Sequence, residues 1–357
     1  MNAKEYTDIA SNPVFFERNR VFRVYTGGKL FHGFFGDEDR DGCFPEEWIA
    51  SGVRALNRDF RSEHEGISRI HGKDLYFDQL LKDHKEQMLG ERESFDILVK
   101  ILDSAIRLPA QVHPDKAFSK EYFKSGYGKT EMWLVLSTRE NAKIYFGLKN
   151  GISREDFASA IEKSESDKNI MESFLNEIPV KKGDVYLIPP KAVHAIGYGC
   201  LILEVQEPTD FTIQPEAWCG EYHLNEYEMY LGLKKEQAMK CFDFSICGTD
   251  AVGLGRKQPA IIKKSGIVCS EQLISYQDTV CFSVNRHRLT KGSLILKDAP
   301  SVYIVTEGLG VLEKEGFIQP VKKGDYFFLP YSIRNQCKLR TTLEMEFVEC
   351  LPSMIKK

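Results

Sequence analysis

Histidine is scarce in this chain, with eight among 357 residues, and tryptophan scarcer still, with three. No CxxC pair occurs. The nine cysteines, Cys43, Cys200, Cys219, Cys241, Cys247, Cys269, Cys281, Cys337 and Cys350, are scattered. An odd, unpatterned set argues against a disulfide framework or a thiolate zinc cluster, and reads as reduced, mostly buried thiols. No run of about 18 apolar residues is present, so no membrane span is expected. The opening MNAKEYTDIASNPVFF holds no apolar core that would serve as a signal peptide, and a cytoplasmic location is expected. Excess positive charge is also lacking: the formal net charge is −4. Without a basic stripe, a nucleic-acid partner is not expected, whereas a phosphorylated small molecule needs only a few local cations.

What is present fits a globular enzyme. Hydrophobic residues make up 42% and charged residues 28%, with 23 Phe and 15 Tyr to fill strand-rich cores. Residues 13 to 80 are short segments broken by glycine and charge, as in YTGGKLFHGFFGDEDRDG, and read as strands and turns. The run SFDILVKILDSAIRL, 94 to 108, suits a helix by Ile97, Ile101 and Ala105 and a strand by Ile97, Val99 and Ile101. Periodicity leaves both open. From 153 to 178 the spacing of Phe157, Ile161, Ile170, Phe174 and Leu175 predicts one or two amphipathic helices, started by a capping box at Ser153 and Asp156 and stopped by Pro179.

One internal echo organises the chain. KKGDVYLIP at 181 returns as KKGDYFFLP at 322, an offset of 141 residues with five of nine positions identical. Each copy turns at Gly-Asp into a strand that ends at proline. The segments GSLILKD, SVYIVTEGLGVLEKE, GDYFFLP and TLEMEFVEC give the second half the same strand-rich character. Two β-barrels of one type, the first carrying the helical insert at about 153–178, is the economical reading: a first domain over 1–240 and a second over 241–357.

Four side chains form a candidate metal set. In QVHPDKAF, 111 to 118, Gln111 and His113 are two apart and would share one strand face. In GKTEMWLVL, 128 to 136, Glu131 is a lone carboxylate among apolar neighbours, costly to bury unless paired or metal-bound. In PPKAVHAIG, His194 follows the first copy of the echo. Such a nitrogen and oxygen set suits zinc with positions left for water or substrate, and equally admits Mn, Fe or Co. By spacing alone each histidine is more readily a hydrogen-bonded core residue than a ligand.

Taken together, KILDSAIRLPAQVHPD, GKTEMWLVL, PPKAVHAIGYG, FPEEWIAS and GCLILEVQEPTD resemble the ordered motifs of the type I phosphomannose (mannose-6-phosphate) isomerases, short bacterial branch. The resemblance covers residues 20 to 215 well and the remainder through the echo. It implies a mainly β bicupin, two jelly-roll barrels with a helical insertion. It implies Gln111, His113, Glu131 and His194 as ligands of one Zn²⁺ per chain, with Lys100 and Lys129 in the substrate pocket. The implied activity is the aldose–ketose interconversion of mannose 6-phosphate and fructose 6-phosphate through a cis-enediol. Arg107 is a further candidate for the phosphate. Whether the chain is a monomer or a homo-oligomer is left open.

The sequence departs from that pattern at two points. Where the family carries an arginine after its Ser/Thr-Asp pair, TDFTIQPEAW puts Gln214, which supplies neither charge nor a bidentate fork. The family's serine before QVH is Pro109 or Ala110 here. In the second half Arg334 and Asn335 stand where the first has His194, and no metal is expected there. A related sugar isomerase or epimerase of altered specificity, or a non-catalytic sugar-binding bicupin, are the alternatives these departures raise.

Overall fold

The computed structural model describes residues 8–57 and 62–354. The first seven residues of the stretch read for a leader lie outside them. The chain is mainly β. Its strands are β1 (Arg20–Val21), β2 (Glu46–Ile49), β3 (Leu98–Asp103), β4 (Glu131–Thr138), β5 (Lys143–Leu148), β6 (Leu175–Pro179), β7 (Val185–Ile188), β8 (His194–Ile196), β9 (Cys200–Gln206), β10 (Trp218–Cys219), β11 (Tyr222–His223), β12 (Arg256–Lys257), β13 (Ala260–Lys264), β14 (Val268–Ile274), β15 (Ser283–Ile295), β16 (Ser301–Lys314), β17 (Phe317–Lys322), β18 (Tyr326–Leu329) and β19 (Lys338–Leu351). One seven-stranded sheet runs β1-β2-β3-β9-β4-β7-β12, and a three-stranded sheet β6-β5-β8 accompanies it. The other seven-stranded sheet runs β13-β14-β15-β19-β16-β17, with β18 also on β16. Strands β10 and β11 form a separate hairpin.

The ambiguity over residues 94 to 108 has a physical cause. All six residues of β3 are buried, so neither period shows. One face of the first sheet, with Val99, Ile101, Met132, Leu134, Leu203 and Val205, packs with Phe282, Val302, Phe328 and Val348 of the second. The other face, with Leu102, Trp133, Tyr186 and Ile202, packs against Ile144, Phe146 and Ile196 of the small sheet. The candidate site lies on this second face.

The helix predicted from Ser153 forms over Arg154–Lys163, and the Ser153–Asp156 capping box is made in both directions. The continuation does not stay helical. Ile170–Phe174 is a 3-10 turn, and Leu175–Pro179 is strand β6. Pairing of Ile144 with Ile178 and Tyr145 with Glu177 on β5 outweighs the helical spacing.

The echo is repeated bond for bond. Gly183 and Gly324 take φ of 92° and 88°, which favours glycine. The Lys181 N–H donates to Asp184 Oδ2 at 3.0 Å and the Lys322 N–H to Asp325 Oδ2 at 2.8 Å. The Gly183 N–H reaches the Val135 carbonyl as the Gly324 N–H reaches that of Val305. Strand neighbours follow suit: β3-β9-β4-β7 in one sheet corresponds to β15-β19-β16-β18 in the other. In that register Glu204 lies between Lys100 and Trp133, and Glu349 between Asn285 and Tyr303. Two positions before Trp133 is Glu131, and two before Tyr303 is Ser301.

Candidate metal centre

Gln111 lies on no regular strand. It pairs with His194 as an isolated antiparallel bridge, with N–H to carbonyl distances of 2.8 and 2.9 Å in the two directions. Paired residues project to the same side, and His113 is two further on. Val112, between them, bridges to Ile213 instead. Glu131 opens β4, and Lys129 precedes that strand rather than lying on it. All five side chains are buried.

The two imidazoles, the carboxylate and the ammonium meet. His113 Nε2 is 3.2 Å from His194 Nε2. Glu131 Oε2 lies 3.1 Å from His113 Nε2, and Glu131 Oε1 3.3 Å from His194 Nε2. Lys129 Nζ is 3.0 Å from His113 Nε2 and 3.3 Å from Glu131 Oε2. Meanwhile His113 Nδ1 donates to the Phe211 carbonyl at 3.0 Å and His194 Nδ1 to the Ala192 carbonyl at 2.9 Å. A carbonyl only accepts, so each Nδ1 carries the hydrogen and each Nε2 presents a lone pair. The close approaches to Glu131 are therefore not hydrogen bonds, and both of its buried oxygens lack one.

Lone pairs from two nitrogens and two oxygens thus face one another inside the protein. Such an arrangement is repulsive by itself and suited to a cation at its centre. Burial, with the adjacent Lys129, pushes the His113 imidazole down to about 3, the neutral form a ligand needs. Burial works to raise the Glu131 carboxyl, but the Lys129 ammonium 3.3 Å away helps hold it well below the usual carboxylate range. Among the described residues, His113, Glu131 and His194 cluster at metal-ligating distances. The Gln111 side chain lines the adjoining cavity.

Lys100 and Glu204, which line that cavity, are the middle of a cross-strand row. Trp48, Lys100, Glu204 and Trp133 are successive register partners on β2, β3, β9 and β4. Lys100 Nζ sits 3.4 Å from Glu204, 3.8 Å from Glu46 and 4.0 Å from Asp210, over the Trp48 ring. Burial would lower its pKa, but Glu46, Glu204 and Asp210 raise it, so the ammonium persists. Burial raises the Glu204 carboxyl, with Glu131 adding to the effect. The Trp133 Nε1–H donates to Glu204 and the Trp48 Nε1–H to Glu46.

Gln214 does line the cavity, and its amide N–H donates to the Glu228 carbonyl at 3.0 Å. Arg107 does not line it. Its guanidinium is bound by Glu172 at 3.0 Å and Glu216 at 2.7 Å, which ties the 3-10 turn to the segment after Gln214. The expectation of a phosphate contact from Arg107 is thus not matched by its place in the fold: two carboxylates hold it elsewhere.

Several cavity residues were not singled out from sequence: Arg23, Glu46, Glu204, Asp210 and Tyr227. Glu204 offered the same signal as Glu131, a carboxylate inside the apolar run LILEVQ. Arg23 offered none, because the segment after β1 has no periodicity to read.

No protein-family model matches the chain. A mannose-6-phosphate isomerase of Streptococcus mutans is 29% identical over 333 residues, 91% of this chain and 94% of that protein. Mannose-6-phosphate isomerase ManA of Bacillus subtilis is 29% identical over 260 residues, 71% of this chain and 75% of that one. A crystal structure of a Bacillus subtilis mannose 6-phosphate isomerase superposes with a TM-score of 0.73 at 23% identity, covering 94% of this chain and 99% of that one. A mannose 6-phosphate isomerase solved with zinc and yttrium gives a TM-score of 0.70 at 16% identity, covering 96% and 100%. The chain therefore resembles the phosphomannose isomerases in sequence and shares their fold.

Proposed function

We propose that this chain is a zinc-dependent aldose–ketose isomerase that interconverts mannose 6-phosphate and fructose 6-phosphate. The observation that carries the reading is the convergence of His113 Nε2, His194 Nε2 and both Glu131 oxygens, with each Nδ1 tied to a carbonyl. Gln111 completes the proposed ligand set, one ion per chain. The names of the relatives support the substrate, and the repeated strand order supports a bicupin divided at about residue 240. A cytoplasmic location goes with this reading.

The chemistry moves a proton between C1 and C2 of an open-chain sugar through a cis-enediol. Zinc, when bound, supplies Lewis acidity toward the oxygens on those carbons. Lys129 is proposed to carry the proton, since its Nζ stands among Glu131, His113 and Thr212 at the edge of the cavity. Lys100, kept protonated by its carboxylates, holds a hydroxyl oxygen of the sugar and balances negative charge as it develops. Apolar neighbours, Leu102, Leu108 and Ile196, keep water from the reacting end.

A coupled assay on zinc-loaded protein tests this. Turnover of mannose 6-phosphate is expected, and a rate no higher than that of a Gln111→Ala/His113→Ala control would end the proposal. A second reading, a related sugar isomerase or epimerase, is favoured by one observation: Gln214 spends its amide on Glu228 and brings no charge. Proton exchange at C2 across a panel of sugars and sugar phosphates, followed by NMR, separates the two. Saturable sugar binding by calorimetry with no exchange would instead mark a non-catalytic bicupin.

A further inference from the structure

The cavity has an arginine after all, from a part of the chain remote from Gln214. Arg23 follows β1 and reaches the cavity wall beside Asp210. Its Nε–H donates to Glu46 Oε1 at 2.9 Å and its Nη1 to Asn57 Oδ1 at 3.1 Å. Its Nη2 spans both Asp210 oxygens at 3.1 and 3.2 Å. Asp210 is held in turn by the Leu56 N–H at 2.8 Å, and Glu46 by the Tyr25 hydroxyl at 2.8 Å. The guanidinium is thus fixed in one plane by groups that are themselves fixed. A guanidinium has five N–H donors, and among the described residues one on Nη1 has no partner.

Its place along the cavity matters as much as its charge. Ion pairs run from Glu204 to Lys100, from Lys100 to Asp210 and Glu46, and from those two carboxylates to Arg23. Arg23 makes no contact with His113, Glu131 or His194 among its bonds and ion pairs. The reacting carbons belong at the end with lone pairs and Lys129. A charged group several carbons away belongs farther off, and Asn57, which Arg23 holds, also lines the cavity. The guanidinium stays charged near neutral pH, and its one unpartnered Nη1 hydrogen can give a phosphate oxygen a charge-assisted hydrogen bond.

We propose that Arg23 is the phosphate-recognising residue of this cavity and so determines preference for a phosphorylated over a plain sugar. The proposal rests on the isomerase reading and adds to it the residue that selects the substrate's charged end. The fork is preorganised by Glu46 and Asp210, which keep it oriented without blocking the remaining donor. Arg23 touches the substrate far from the proton transfer, so it contributes binding energy common to ground and transition states.

The test compares zinc-loaded wild type with Arg23→Gln and Arg23→Lys, using mannose 6-phosphate and mannose as substrates and inorganic phosphate as inhibitor. For Arg23→Gln, KM for mannose 6-phosphate is expected to rise roughly 10- to 100-fold, as for loss of a charged hydrogen bond, with kcat changed less. The inhibition constant for phosphate should rise in step, and KM for mannose should stay nearly fixed. Millimolar guanidinium should restore part of the loss. An unchanged KM, or an equal rise for both sugars, overturns the proposal and marks Arg23 as structural. Should Arg23→Gln fail to fold, Arg23→Lys decides, since it keeps the charge and loses the free Nη1 donor. A wild type that turns over neither sugar defeats the isomerase reading instead; calorimetric titration of wild type and Arg23→Lys with inorganic phosphate then still judges Arg23, equal affinities counting against it.

Discussion

His113 and His194 bring their Nε2 atoms to 3.2 Å of each other while each Nδ1 rests against a backbone carbonyl. Two lone pairs at that separation are tolerable only with a cation near them. The purified protein is therefore expected to hold one divalent ion per chain by elemental analysis. His194→Ala and Glu131→Gln should each lower the occupancy. Chelation should lower Tm, because an ion present at about 1,000 times its Kd stabilises the folded state by about 4 kcal/mol. A chain that stays metal-free after loading with Zn²⁺, Mn²⁺ and Co²⁺ would refute the site.

Acid sensitivity follows from His113. Folding holds its imidazole down at about 3, against about 6.5 for the free side chain. Below about pH 6.5 the unfolded chain takes up a proton that the folded one refuses, so stability falls as pH drops toward 3. Glu131, held low, acts in the same direction at lower pH, because its stabilising charge is lost as it protonates. Chelated protein should lose Tm steadily from about pH 6.5 downward, and His113→Gln should flatten that slope. A flat profile in the wild type would contradict the buried neutral imidazole.

Lys100 is enclosed by Glu46, Glu204 and Asp210. Lys100→Met leaves three carboxylates facing one another in a buried place. A destabilisation of about 3–5 kcal/mol in urea unfolding is expected, as for breaking a buried ion pair. Activity should be lost even at temperatures where the variant remains folded. Retained stability would mean that the carboxylates are already protonated.

Arg107 offers the complementary case. Arg107→Ala should cost about 3–5 kcal/mol by stranding Glu216, which is also buried, yet leave KM unchanged at temperatures where the fold persists. A large rise in KM would return Arg107 to the substrate.

The two glycines of the repeated turn should differ. A Cβ at Gly324 would meet the Phe34 carbonyl at 2.4 Å, whereas one at Gly183 finds only the Arg286 side chain at 3.9 Å. Gly183→Ala should cost about 1–3 kcal/mol from the positive φ alone, and Gly324→Ala more, since backbone must move. Equal losses in denaturant titrations would show that the Phe34 segment yields freely.

The clearest sequence signals were polar residues stranded in apolar strands. Glu131 in EMWLVL and His194 in AVHAIG stood out because burial makes such residues expensive, and the structure brings both together with His113. The turn residues of KKGD were equally legible, since Gly-Asp has few backbone conformations. What stayed hidden depended on distance in the chain. Arg23 meets Asp210 across 187 residues, and no local pattern marks either as the other's partner. The surroundings of Arg107 are hidden for the same reason: its partners Glu172 and Glu216 lie 65 and 109 residues on. The strand at Leu175–Pro179 was read as helix because a neighbour, β5, decided its shape.

The row from Trp48 through Lys100 and Glu204 to Trp133 spans four strands, each residue seated by the hydrogen-bond register of the sheet. A slip of one position on any of them would turn its side chain to the opposite face. The charges of Lys100 and Glu204 are therefore as hard to re-aim as the fold itself. Arg23, Asp210 and Gln214 sit on irregular segments outside that register. Substitutions on those segments can change the cavity wall without disturbing the pairing of the sheet.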